Sequence, residues 1–166
     1  MLGLPLFAPL VFGYKLGFVS ANALRAQSVR FGFRGMPASH VQTMGRRFAD
    51  EVLPAVLRPQ ALERIQWHRE QGDKIMVVSG ALDVYLEHWC KRHGLDLLCS
   101  RLEVVDGRLT GRYQGAQCVG MEKSRRVREV CELERFPVVY AYGDTPEDLH
   151  LLSIAHRKYY RWQEVA

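Results

Sequence analysis

The amino-acid sequence predicts an α/β protein in which a doubly wound parallel sheet follows an N-terminal helical segment. Helix and strand patterns alternate after Leu57, whereas no convincing strand precedes it. Two short apolar runs, 74–80 (KIMVVSG) and 136–143 (FPVVYAYG), have the composition of strands that are buried on both faces. Such alternation predicts parallel strands with ligands bound at their carboxyl ends.

The first 57 residues carry apolar and small side chains at helical spacing. The segment Phe33–His40 (FRGMPASH) is predicted to be a turn, with Ser39 as the N-cap of the helix that follows. The apolar N-terminal segment is interrupted by Pro5 and Pro9 and is short for a membrane span, which favours a short buried or interface helix. It is not expected to replace a central strand, since Pro9 has no N–H to donate to a ladder.

The first part of the alternating region reads as helix, strand and helix. A helix begins at Pro59, a residue suited to a first turn, and ends at Gly72. The strand 74–80 follows, and a second helix covering 83–93 ends at Gly94.

The second part begins with a hairpin signal, Asp106-Gly107 between β-type runs. We then predict a helix over Lys123–Glu132, the buried strand 136–143, a helix over 146–155 and a last strand over 158–162.

Composition and charge distribution favour a folded protein that does not bind nucleic acid. The chain has 166 residues, 48% of them hydrophobic, and a formal net charge of +5, as expected for one domain or a domain with a small appendage. Its densest basic stretch, 122–130 (EKSRRVREV), alternates with glutamates as a solvated helix face does, which argues against a nucleic-acid partner. The four cysteines form no C-x-x-C pair and are expected to be reduced thiols in a cytoplasmic protein.

Polar residues follow both buried strands and therefore converge on one edge of the predicted sheet. A serine hydroxyl and backbone N–H groups, as at Ser79 and Gly80, suit phosphate oxygens, although Ser79 can equally be a helix cap. Lys123 is a candidate to neutralise phosphate charge; the alternative is a solvated lysine.

Two carboxylates four residues apart, Asp144 and Asp148, lie behind Gly143, which is expected to let the chain turn sharply. Carboxylates at the mouth of a parallel sheet suit Mg²⁺. Asp148 can alternatively be a first-turn acid that stabilises a helix dipole.

In order and context, Ser79, Lys123 and the segment 143–148 (GDTPED), at spacings of 44 and 21 residues, resemble three motifs of the haloacid dehalogenase superfamily. More closely, segments 57–96, 106–127 and 140–162 look like its phosphoserine-phosphatase-like subfamily IB. The resemblance implies a partial helical cap over residues 1–57 and an α/β core over 58–166.

The resemblance also implies roles and a reaction. Ser79 and Gly80 would bind the phosphoryl group, Lys123 would screen its charge and orient the nucleophile, and Asp144 would bind Mg²⁺ with support from Asp148. The implied activity is hydrolysis of a phosphorylated small molecule through an aspartyl-phosphate; the substrate's identity is not implied.

One departure from the family pattern concerns the nucleophile. The family's D-x-D-x-T or D-x-D-x-V motif ends a first central strand, yet no Asp occurs before Asp50. We therefore expect a truncated chain that lacks this strand and is inactive alone, with strand donation from another chain as one remedy. Two other hypotheses stay open: a non-catalytic module that binds phosphate and Mg²⁺, and a basic module for nucleic acid or a membrane surface.

Overall fold

The computed structural model describes residues 16–166, and in them it confirms the predicted α/β class. The α-helices are α1 (Ala21–Phe33), α2 (Ala38–Glu51), α3 (Leu53–Val56), α4 (Pro59–Glu70), α5 (Asp83–Arg92), α6 (Met121–Val130) and α7 (Leu149–Leu152). The strands are β1 (Met76–Leu82), β2 (Asp96–Ser100), β3 (Leu102–Val105), β4 (Arg108–Tyr113), β5 (Tyr140–Gly143), β6 (Arg157–Tyr160) and β7 (Gln163–Val165). Short 3₁₀ turns cover Leu133–Arg135 and Pro146–Asp148.

The strands of the described residues form three separate sheets. β1 pairs with β2 in parallel, β5 pairs with β6 in parallel, and β7 adds to β6 in the antiparallel sense. β3 and β4 form an antiparallel hairpin. Within residues 16–166 no strand joins the two parallel pairs, which agrees with the prediction of an incomplete sheet.

Helices cover both faces of β5, as in a doubly wound sheet. His68 of α4 makes edge contacts with the rings of Tyr140 and Tyr142. Ala141, which points the other way because strand side chains alternate, packs in one cluster with Leu152 of α7. On that second side, α6 contacts α7, β1 and β2, so it spans both parallel pairs.

The N-terminal helices pack on α5 and on the hairpin through two apolar clusters. The first cluster includes Ala49 and Leu53 together with Trp89, and the second joins Val29 and Val41 to other buried side chains. A boundary between a cap at 1–57 and a core at 58–166 stays a prediction.

Elements with strong end signals lie where the sequence placed them. Pro59 opens α4, and Gly94, with a φ of 59°, follows α5. Asp106 and Gly107 both have positive φ, 48° and 73°, as the two-residue turn of a hairpin requires.

Other expectations were wrong. Ser39 is not an N-cap, because α2 already begins at Ala38 after Pro37, without a side-chain cap. β2 was not predicted at all. The strand predicted over 158–162 ends at Tyr160 as β6, because Arg161 and Trp162, with φ of 51° and 68°, form the turn into β7.

The expectations for the apolar N-terminal segment fall on residues 1–15, which lie outside the described part of the chain. Among residues 16–166, no helix has both the length and the apolar content needed to cross a bilayer.

Gly45 marks the tightest helix contact and gives a first prediction. An added Cβ would collide with the carbonyl oxygen of Val84, so Gly45→Ala must push α2 away from α5. We expect a loss of about 1–3 kcal/mol in the free energy of unfolding, measured by urea denaturation. Gly32→Ala is the matched control, since its Cβ meets nothing within 4 Å and alanine gains up to about 1 kcal/mol in a helix. Equal effects of the two substitutions would contradict the close packing of α2 on α5.

Candidate functional site

A tight turn at the carboxyl end of β5 organises the candidate site. The Oδ2 atom of Asp148 accepts hydrogen bonds from the backbone N–H of Asp144 (3.1 Å) and of Thr145 (3.0 Å), and from the Thr145 hydroxyl (2.8 Å). Thr145 and Asp148 thereby form a capping box around the 3₁₀ turn. Asp148 is thus the acid of a first turn, as its alternative interpretation predicted, and it also fixes the backbone of Asp144.

Gly143 is needed for space. It ends β5 without a positive φ, and the chain turns directly after it into the 3₁₀ turn Pro146–Asp148. A Cβ at this position would instead collide with the side chain of Asp148. The absence of a side chain lets the Asp148 carboxylate fold back against the end of β5.

Lys123 and Asp148 form a buried ion pair. The Lys123 Nζ lies 2.5 Å from Asp148 Oδ1, and the two side chains are only 10% and 8% exposed. The interpretation of Lys123 as a solvated lysine is therefore wrong. A buried ammonium requires such a partner, because loss of hydration costs several kcal/mol per ion.

Asp148 is held in its ionised form by this arrangement. Burial by itself raises the pKa of Asp148, but the hydrogen bonds from Lys123 and Thr145 outweigh burial and bring the pKa below its ordinary value of 3.8. The site therefore keeps a fixed negative charge beneath the Lys123 ammonium at neutral pH.

Ser79 and Gly80 lie inside β1, at a register shift in its pairing with β2. The Ser79 hydroxyl oxygen accepts a hydrogen bond from the backbone N–H of Ala81 (3.1 Å), which leaves its own proton to donate. A Cβ on Gly80 would lie 2.8 Å from a methyl group of Val119, in the loop that leads into α6 and Lys123. Within residues 16–166 no hydrogen bond links Ser79 directly to Lys123 or Asp144.

Asp144 is partly exposed and bound to an arginine that the sequence did not reveal. The Arg58 Nη2 lies 2.6 Å from Asp144 Oδ2, and the Asp144 side chain is 40% exposed. The Arg161 Nε donates to the Asp144 carbonyl oxygen at 3.3 Å. Residues 58 and 144 are distant in sequence, so no local pattern signals their contact.

The two carboxylates differ in their fitness for Mg²⁺. Both oxygens of Asp148 are engaged by Lys123 and by the turn, so Asp148 suits a supporting role. Asp144 retains an accessible carboxylate, and Mg²⁺ commonly takes one or two carboxylates with water and phosphate completing its octahedron. In the part of the chain that the structure describes, no group of three acidic, imidazole or thiol side chains forms a complete metal cluster.

The same turn is tied to the N-terminal helices. Arg25 of α1 forms an ion pair with Glu147 at 2.6 Å and donates to the Gln117 side chain at 3.1 Å. Gln117 in turn donates to the Asn22 carbonyl oxygen. This contact between α1 and the site was also missed, because its partners are far apart in the chain.

Comparison with known families and proteins identifies relatives. The family model described as haloacid dehalogenase-like hydrolase matches residues 3–153. Protein CicA of Caulobacter vibrioides is 34% identical over 140 residues, which cover 83% of this chain and 63% of CicA. A phosphoserine phosphatase of Archaeoglobus fulgidus is 31% identical over 145 residues, or 82% of this chain and 42% of that enzyme. The chain thus spans less than two thirds of either relative.

Solved structures support the fold. A Bordetella pertussis protein of unknown function has a TM-score of 0.80 and 22% identity, over 92% of this chain and 70% of the other. A probable phosphoserine phosphatase from Vibrio cholerae has a TM-score of 0.72 and 20% identity, over 92% of this chain and 46% of the other.

The buried pair gives a second prediction. Asp148→Asn leaves the Lys123 ammonium buried without a counter-charge and removes an ionised acceptor from the turn, so we expect a loss of about 3–5 kcal/mol in the free energy of unfolding at pH 7. The control is Asp96→Asn, since the pair of Asp96 with Lys74 is about half exposed and exposed pairs contribute roughly 0–1 kcal/mol. Urea denaturation checks both variants. A cost for Asp148→Asn no larger than that of the control would show that the pair is not structural.

The depressed pKa of Asp148 gives a third prediction. Because its pKa is lower in the folded than in the unfolded protein, its ionised form stabilises the fold above the unfolded value near 3.8, and this contribution is lost as the pH falls through the folded pKa. We expect the thermal midpoint of the wild type to fall more steeply below about pH 4 than that of Asp148→Asn. Parallel curves for the two proteins would contradict a depressed pKa.

Proposed function

The chain belongs to the haloacid dehalogenase-like hydrolases, and from this membership we propose that it forms the phosphoryl-binding part of a Mg²⁺-dependent phosphomonoester hydrolase. The observation that carries the proposal is the buried Lys123–Asp148 pair, whose carboxylate also fixes the backbone of Asp144. A buried cation and a partly exposed carboxylate thereby lie at the end of one strand.

Phosphate binding is assigned to Ser79, Gly80 and Lys123. An ammonium has three N–H donors, and the pair with Asp148 uses one of them, which leaves donors for phosphate oxygens. The Ser79 hydroxyl has a proton to donate, and Gly80 presents backbone without a side chain. Lys123 would also lower the energy of the charge that develops on the phosphoryl oxygens, which is the main form of catalysis in phosphoryl transfer.

Mg²⁺ binding is assigned to Asp144, with Asp148 as its support. When bound, Mg²⁺ would neutralise phosphate charge and orient the phosphoryl group for in-line attack. Asp144 is suited to hold it because hydrogen bonds at its N–H and at its carbonyl oxygen both fix its backbone.

A nucleophile is the group that the described site does not supply. Asp148 is saturated by hydrogen bonds, Asp144 is the proposed metal ligand, and no Asp precedes Asp50 in the sequence. We propose that this 166-residue chain binds phosphate but does not turn over phosphate esters. Loss of a catalytic nucleophile typically lowers turnover by about 10⁴ to 10⁶.

A second candidate function is binding without catalysis, because Asp144 and Asp148 are both committed to other roles and neither is free to act as a nucleophile. A protein that binds phosphate and Mg²⁺ without chemistry needs the cation, the hydroxyl and the metal ligand but no nucleophile. It would act as a ligand-dependent interaction module and would show binding with no turnover in any longer form of the protein.

The proposed substrate class is a phosphorylated small molecule, which is supported by relatives named phosphoserine phosphatase. A cytoplasmic location and the absence of a nucleic-acid partner stay predictions. Strand donation also stays a proposal: within residues 16–166, β1 pairs only with β2 and β5 only with β6. A strand from another chain would satisfy the backbone groups at those edges.

Phosphate binding and turnover give a fourth prediction. We expect the 166-residue chain to bind inorganic phosphate by calorimetry, and Ser79→Ala to weaken this binding by roughly 10- to 150-fold, because a hydrogen bond to a charged group is worth roughly 1.5–3 kcal/mol. Lys123→Met should abolish it. Ser153→Ala and Lys91→Met, at exposed positions, are the controls. With Mg²⁺ and p-nitrophenyl phosphate we expect no turnover.

Three outcomes separate the hypotheses. Equal phosphate affinity in the wild type and Ser79→Ala would refute the assigned phosphate site. Turnover that is lost on Asp144→Asn would show that a nucleophile lies within the chain. A longer form that binds phosphate and still has no turnover would favour the non-catalytic module.

A further inference from the structure

The pair between Arg58 and Asp144 joins two elements that meet at the end of β5. Arg58 directly precedes α4 and has extended backbone angles, φ −75° and ψ 126°, as expected before a proline. Its guanidinium lies 2.6 Å from the Asp144 carboxylate, although the side chain itself is 57% exposed. The helix start thus sets the backbone position of Arg58, while its exposed side chain has room to move.

The backbone of Asp144, in contrast, is held from two directions. Its N–H donates to Asp148, and its carbonyl oxygen accepts from Arg161. Arg161 lies in the two-residue turn between β6 and β7. Arg161 and Trp162 both have positive φ although neither is glycine, a strained backbone conformation that persists only where the surrounding structure holds it. The backbone that carries the Asp144 carboxylate is therefore held by contacts that do not involve Arg58.

The charges around this turn favour an exchange of cations. Lys123 and Arg58 pair with the carboxylates of Asp148 and Asp144, and Arg161 donates to the Asp144 carbonyl oxygen, so these five groups together carry a net charge of +1. A divalent cation at Asp144 would raise the sum to +3 if Arg58 stayed. Like charges at contact distance repel, so departure of the exposed Arg58 is the simplest way to relieve the excess.

We propose that Arg58 is an intramolecular competitor for the metal: its guanidinium occupies the Asp144 carboxylate in the metal-free protein and is displaced by the divalent cation. This inference rests on the proposed function, in which Asp144 is the metal ligand. The displaced guanidinium stays tethered at the start of α4, next to the Asp144 metal ligand. The competition lowers metal affinity only modestly, because a partly exposed ion pair is weak.

The fifth prediction tests this competition with Mn²⁺ as the probe, by calorimetry and by the paramagnetic relaxation of water protons. Arg58→Gln should bind Mn²⁺ about two- to fivefold more tightly than the wild type, the range that a weak ion pair allows. Arg47→Gln is the matched control, since Arg47 forms an exposed pair with Glu51 elsewhere and its loss changes net charge equally. Asp144→Asn should abolish binding with or without Arg58→Gln.

The outcomes distinguish this inference from the function on which it rests. If the wild type binds Mn²⁺ through Asp144 and Arg58→Gln binds no more tightly, the competition is refuted and the metal site stands. If Arg47→Gln gains as much affinity as Arg58→Gln, the effect is one of net charge and the inference fails. If neither the wild type nor Arg58→Gln binds Mn²⁺ in an Asp144-dependent way, both the inference and the proposed metal ligand are wrong.

Discussion

The buried ion pair between Lys123 and Asp148 is the interaction on which the rest of the site depends. Lys123 lies on α6, which contacts β1, β2 and α7, whereas Asp148 lies in the turn that follows β5. In the described residues the two parallel strand pairs share no ladder, so this pair is one of the bonds that hold them in register. The other carboxylate oxygen of Asp148, Oδ2, accepts hydrogen bonds from Thr145 and from the backbone N–H of Asp144. The Lys123–Asp148 pair therefore both stabilises the fold and positions Asp144, the proposed metal ligand.

The ion pair gives the two carboxylates, Asp148 and Asp144, different roles. Asp148 is buried and ionised, and it accepts four hydrogen bonds, one from Lys123 and three from the Asp144–Thr145 turn. Asp144 is left more exposed, with its backbone fixed, and among residues 16–166 its carboxylate forms an ion pair only with the exposed Arg58. Gly143 makes the arrangement possible, because any side chain there would take the space of Asp148. Two similar residues four positions apart thus acquire different roles from their surroundings.

The parts of this fold that sequence reasoning predicted are those with local causes. Pro59 and Gly94 punctuate helices, and Asp106-Gly107 makes a hairpin turn, since each acts through its own φ preference. β2 was missed because its five residues follow Gly94 without a separate signal. Arg161 and Trp162 were wrongly assigned to a strand, because their positive φ is rare for residues with a side chain and nothing in the sequence signals it. Within the site, Ser79, Lys123 and Asp144 were assigned from family resemblance, and their roles stay predictions. Arg58 was not assigned, since its contact is made by tertiary packing alone.

The way in which α4 is anchored limits how Arg58 can leave Asp144. At the far end of the helix, the His68 ring contacts Asp73 through Nδ1 (2.6 Å) and the Tyr142 hydroxyl through Nε2 (2.9 Å), so α4 is bound to the middle of β5. Its start is fixed by Pro59. A movement of the whole helix would break these partly buried contacts, whereas rotation of one exposed side chain breaks only a weak ion pair. Exchange at Asp144 is therefore a side-chain event, and the strand end that holds the carboxylate stays the same in both states.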